Sequence, residues 1–146
     1  MKTIEEVNEM WEVDCIIDRT NISSELLNIP LLHCKYLKIL NEHKLASIKT
    51  KSNYDKMKNI KTEYYLGHLD EETLNTYGWE QFDLKLGSKG NIDRYISADD
   101  DLNKILQKKA YHDQVSYSIE SILNEIKNRN WELRSYIEWE KFLAGA

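Results

Sequence analysis

At 146 residues the chain has room for one domain and not for two large ones, and its 41% hydrophobic content permits a core. One proline and five glycines leave few enforced breaks, which favours long helices over a many-turned β architecture. Only two cysteines, Cys15 and Cys34, exclude a disulfide framework and read as buried or half-buried thiols in a reducing compartment, while the formal charge of -5 conceals an uneven distribution.

The N-terminus, MKTIEEVNEM, is acidic where a signal peptide is basic and then apolar. No stretch approaches the roughly 20 apolar residues that span a bilayer, so the expectation is a soluble, cytoplasmic protein without membrane contact. Residues 3–13 predict a short amphipathic helix with Ile4, Val7, Met10 and Trp11 on one side, which needs a partner to be stable. The next helix opens near Asn21 or Ser23, and Pro30 marks either a kink in it or a fresh start at a first turn. From Leu31 nothing stops the helix until Gly67, a run of about 54 Å at 1.5 Å per residue. A rod of that length must lie against a second long helix or another subunit.

Within this run, Lys35 to Lys61 carries eight lysines against Glu42 and Asp55, a local charge of +6. Lys44, Lys51 and Lys58 recur every seven residues, and Lys38, Lys49, Lys56 and Lys61 broaden the positive surface around them. A polyanion is the partner such a field selects. Lysines without an arginine fork suit phosphate contact better than base discrimination, so the binding is expected to be non-specific and salt-sensitive. Tyr54, Tyr64 and Tyr65 offer flat side chains on which bases of an unpaired strand stack. Tyr54, Met57, Ile60 and Tyr64 equally read as the packing stripe of a helical hairpin, and the lysines as a solvated helix face.

Residues 67–96 connect the two long helices and differ in character. They hold four glycines, an acidic cluster at 70–72 and the alternating fragment Phe82-Asp83-Leu84-Lys85-Leu86, which predicts a short extended segment. Gly87-Ser88-Lys89-Gly90 lacks the spacing of a phosphate-binding loop and reads as a surface turn. A second long helix starts from Ser97, as an S-x-x-D signal with Asp100, and Asp99 to Asp101 suit its first turn. Ile119, Leu123, Ile126, Asn130, Leu133 and Ile137 then recur at steps of three or four. Asn128 to Asn130 is the expected interruption, followed by a short aromatic terminal helix from Trp131 to Phe142 that packs either on another chain or on the N-terminal helix.

No constellation of catalytic or metal-binding type emerges. Cys15, His33, Cys34 and His43 lack paired-ligand spacing, and Asp99 to Asp101 are explained by a helix start. His112, Ser116 and Glu120, four apart, form a solvated row with no oxyanion donors and no turn to expose a nucleophile. The expectation is a non-enzyme without cofactor or metal.

The run Tyr54-Asp55-Lys56-Met57-Lys58-Asn59-Ile60-Lys61-Thr62-Glu63-Tyr64-Tyr65-Leu66-Gly67, with the upstream helix from Ser24 through Lys44, resembles the UvsY family of phage recombination mediators. The second helix, opened by Ser97-Ala98-Asp99-Asp100-Asp101 and closing toward Glu140-Lys141-Phe142-Leu143-Ala144-Gly145, is similar in order and spacing, so the resemblance covers nearly all of the chain, residues 68–92 least. It implies a single all-α domain over 1–146. Its core is a long antiparallel helical hairpin with short N- and C-terminal helices, assembled as a closed ring of about six or seven subunits. It further implies binding of single-stranded DNA and help for a RecA-like phage recombinase against the phage single-stranded-DNA-binding protein, in the host cytoplasm. The family's basic pair falls on Asn59, which is uncharged, and Lys61, with Lys58 beside them.

The expected nucleic-acid-binding residues are thus Lys44, Lys49, Lys51, Lys56, Lys58, Lys61 and Tyr65. The expected oligomerisation region is 119–143, through Ile119, Leu123, Ile126, Leu133 and Ile137. The competing readings are a helical protein-interaction or structural module and a regulator of duplex DNA; the latter lacks a helix-turn-helix with base-reading side chains.

Overall fold

The computed structural model describes residues 1–86 and 89–146, and among these it is all-α: α1 (Ile4–Asp14), α2 (Ile22–Tyr65), α3 (Glu71–Tyr77), α4 (Lys89–Ser97) and α5 (Asp100–Leu143). The long hairpin is made by α2 and α5, each of 44 residues and so about 66 Å long. The described residues form two compact units, 1–45 with 112–146 and 46–111, and both long helices run through both.

In the first unit, α1 begins with a reciprocal cap: the Glu6 backbone N–H donates to Thr3 Oγ1 at 3.2 Å, and the Thr3 N–H donates to Glu6 Oε2 at 2.7 Å. Val7 of α1, Tyr36, Ile39 and Leu40 of α2, and Val115, Ile119, Ile122, Leu123 and Ile126 of α5 form the core, with Ile4, Met10 and Trp11 packed against it. The predicted apolar side of the first helix is therefore the side it buries. Arg129, 4% exposed, donates to the Asp14 carbonyl at 2.9 Å and lies 5.8 Å from the Trp11 ring, tying α5 to the end of α1. Asp14 Oδ2 in turn accepts from Lys35 Nζ at 2.5 Å and from the Tyr36 hydroxyl at 2.9 Å. Burial and then that bond to a carboxylate push the Tyr36 phenol well above its ordinary range.

His43 and His112 are both buried, their Nδ1 atoms 3.0 Å apart, and His43 Nε2 lies 2.8 Å from the Lys2 carbonyl. A carbonyl only accepts, so with neutral rings His43 carries its proton on Nε2 and its Nδ1 accepts from His112. Ser116 is buried too and donates from Oγ to the His112 carbonyl at 2.8 Å. Of the row expected to be solvated, His112 and Ser116 are instead interior, because the heptad face of α5 rolls those positions inward, while Glu120 stays half-exposed and pairs with Lys44.

Several boundaries differ from the sequence expectation. Pro30 lies inside α2, which starts at Ile22, so there is no fresh start there; Ile29 and Leu32 pack against the core on either side of it and hold the helix together. The interruption expected at 128–130 is absent and α5 continues to Leu143. Two asparagines cost a helix at most about 0.7 kcal/mol each, whereas Ile126 and Leu133, both buried, return about 1.5–3 kcal/mol each. Cys15 and Cys34 are exposed, not buried, since neither falls on a core-facing position.

In the second unit, α2 ends in a left-handed turn at Gly67 (φ 74°), with the His68 N–H bonded to the Glu63 carbonyl and the Gly67 N–H to the Tyr64 carbonyl, both at 3.0 Å. The connection holds two short helices, α3 and α4, and the fragment 82–86 forms no strand. One alternating segment without a neighbour has nothing to receive its backbone hydrogen bonds; Phe82 instead packs its ring 5.0 Å from Tyr65 and 5.3 Å from Tyr95. Of the stretch read as a surface turn, Gly87 and Ser88 lie outside the described residues, and Lys89 opens α4. The cap of α5 is Asp99, whose Oδ1 accepts from the Leu102 N–H at 3.0 Å. Ser97 ends α4 and bonds back to the Asp93 carbonyl.

Candidate nucleic-acid interface

The lysines of α2 divide by what they touch. Lys61, whose side chain is 7% exposed, places its Nζ 3.0 Å from Asp99 Oδ2 and 2.9 Å from Asp101 Oδ2, with the Trp79 ring centroid 4.0 Å away. Burial works against its charge, but the bonds to Asp101 and Asp99 outweigh that and raise its pKa. Asp99 shows the mirror image: burial pushes its carboxyl up, and hydrogen bonds from Tyr65, the Leu102 N–H and Lys61 bring it below the ordinary value.

Lys44 is paired with Glu120 at 2.5 Å and Lys51 with Asp55 at 2.9 Å, both on the surface. Lys49, Lys56 and Lys58 are exposed and make no ion pair among the described residues. Lys38, nearer the start of the basic segment, is likewise exposed and without an ion pair among the described residues, and these four are the α2 lysines with charge left over for a ligand.

Tyr65 is committed elsewhere. Its hydroxyl donates to Asp99 Oδ2 at 2.6 Å, and its ring is boxed by Tyr64, Phe82 and Tyr95 at 5.0–5.5 Å. Tyr64 packs on Trp79 and Phe82 of the connecting segment, so its ring too is engaged within the chain. The outermost ring of this cluster is Tyr77, stacked on Trp79 at 4.5 Å and 15°. Nothing in its sequence context marked it, because its contact with Trp79 depends on the turn at Gly78 (φ 68°) that folds the chain back after α3.

The apolar stripe of α5 is likewise engaged within the chain: Ile119 and Ile126 have no accessible surface, Leu123 and Leu133 are buried, and Ile137 is half-buried. Toward its C-terminal end α5 leaves Trp131, Trp139, Phe142 and Leu143 exposed, with Trp139 and Phe142 stacked at 5.6 Å; earlier in the helix Tyr117 is exposed as well.

Residues 10–146 match the family model described as recombination, repair and ssDNA binding protein UvsY. The chain belongs to this family. Its fold is that of two crystal structures of the bacteriophage T4 recombination mediator protein UvsY. In lattice type II the TM-score is 0.85 at 21% identity over 99% of each chain; in lattice type IV it is 0.83 at 20% identity, over 97% of this chain and 99% of that one. No curated protein matches the chain in sequence.

The family is non-catalytic. Among the described residues no group of three His, Cys, Asp or Glu is placed to hold a metal, and no helix is long and apolar enough to cross a membrane.

Proposed function

We propose that this protein binds single-stranded DNA through the exposed lysines of α2 and helps load a RecA-like phage recombinase onto strand covered by the phage single-stranded-DNA-binding protein, in the host cytoplasm. The observation that carries the reading is the family match over residues 10–146, together with unpaired cations at Lys49, Lys56 and Lys58 in a segment of charge +6. No base-reading arginine accompanies these lysines, so the contacts are to phosphate and tolerate any sequence. A few such contacts per chain bind weakly at physiological salt, and a homo-oligomer of about six or seven subunits supplies the avidity that a single chain lacks. In that assembly Trp131, Trp139 and Phe142 supply intersubunit contacts, the stripe from Ile119 to Leu133 being occupied by its own subunit.

The test is a filament-nucleation assay with a cognate recombinase on strand precoated with the cognate single-stranded-DNA-binding protein. The protein shortens the lag and hydrolyses no nucleotide. An unchanged lag, with strand binding intact, reduces the protein to a generic single-strand binder.

A further inference from the structure

The register of the second unit follows from one contact. Lys61 of α2 bonds Asp99 and Asp101 of α5, and the helices are antiparallel, each rising about 1.5 Å per residue. Five residues back along α2, Lys56 therefore stands level with the part of α5 that holds Lys104. One turn further along α5, Lys108 stands level with the stretch of α2 between Lys49 and Lys56. Lys104 and Lys108 are four apart, so they share a face of α5. Both are exposed, and neither has an ion pair among the described residues, not even Lys104 with Asp100 one turn before it.

The acidic start of α5 would ordinarily cancel this charge. Lys61 bridges Asp99 and Asp101 and offsets one of their two charges, and Asp100 makes no ion pair with Lys104 among the described residues, so the cancellation is only partial. Packed helices lie about 8–10 Å apart, so uncompensated cations at one level of the two helices are within the span of a single phosphate backbone.

We infer that Lys104 and Lys108 extend the polyanion site of α2 onto α5, where they bind phosphates of the same single strand. The inference rests on the proposed DNA-binding function and adds residues that lie outside the basic segment at 35–61.

The experiment is anisotropy of a fluorescent oligothymidine strand across a salt series, with the full-length chain and three variants. K104A/K108A lowers the slope of log affinity against log salt by about 1.4, at about 0.7 per lost phosphate contact on a single strand, with unchanged helicity. K127A/K141A, which removes the same charge from exposed positions in the first unit, leaves the slope in place. An equal fall with both pairs shows an effect of net charge alone and overturns the inference. An unchanged slope for K104A/K108A, while K49A/K56A/K58A loses affinity, overturns it and leaves the proposed function standing. A wild-type chain that does not bind the strand overturns both.

Discussion

The Tyr65 hydroxyl donates a 2.6 Å hydrogen bond to the carboxylate of Asp99, the residue that caps α5. That carboxylate accepts from the tyrosine, from the Leu102 N–H and from Lys61, so the end of α2 and the start of α5 share one buried ion. A tyrosine and a lysine that sequence places in a DNA-binding stretch are here the fastening of the hairpin.

Replacing Lys61 with methionine leaves Asp99 buried with its charge uncompensated. Loss of one partner of such a pair costs about 3–5 kcal/mol. Urea denaturation of Lys61→Met shows that loss. The Lys61 charge is spent on Asp99 and Asp101, so the variant has no phosphate contact of Lys61 itself to lose.

Asp99 has its carboxyl below the ordinary value of 3.8 in the folded chain. Its contribution to stability is therefore complete above the unfolded pKa and is lost as pH falls through the lower folded one. Lys61, raised above 10.5, acts in the opposite sense: its contribution is complete below that value and is lost as pH rises through the higher folded pKa. A pH series of denaturation midpoints shows both limbs, and Asp99→Asn removes the Asp99 part of the acid limb.

Neutralising an α2 lysine weakens single-strand binding according to what that lysine already touches. Lys56→Ala and Lys58→Ala each lower the salt slope by about 0.7. Lys51→Ala lowers it less, since Asp55 already shares its charge. Titrations at four or more salt concentrations rank the three, and equal slopes for all would remove ion pairing as the discriminator.

Ile126 and Trp131 separate folding from assembly. Ile126→Ala opens a cavity in the core of the first unit and costs about 2–5 kcal/mol. Trp131, 73% exposed, contributes little to the fold. Trp131→Ala combined with Trp139→Ala shifts sedimentation toward smaller species at unchanged thermal stability, whereas an intact large species would exclude this surface from the assembly.

Sequence by itself determined the first helix, the two long ones and their apolar sides, but not α3, α4 or the unbroken run of α5. The i, i+3, i+4 recurrence fixed which side of α1 and α5 is apolar, and Gly67 fixed where α2 ends, because these depend on local backbone geometry and on periodicities of one helix. The positive segment was legible for the same reason: charge is a sum over residues.

What only the tertiary structure decided is which members of each set are still available. Lys51, Lys58 and Lys61 are alike as a sequence pattern, yet one is paired along its own helix, one is free, and one is buried by aspartates 38 and 40 residues away. Ile126 and Trp131 are both large and apolar on α5, yet the helix rotation set by packing on α1 and α2 buries the first and exposes the second. A partner distant in sequence leaves no local periodicity behind, and so the residual charge and residual apolar surface, which are what a ligand or a second subunit meets, exist only once the chain has folded.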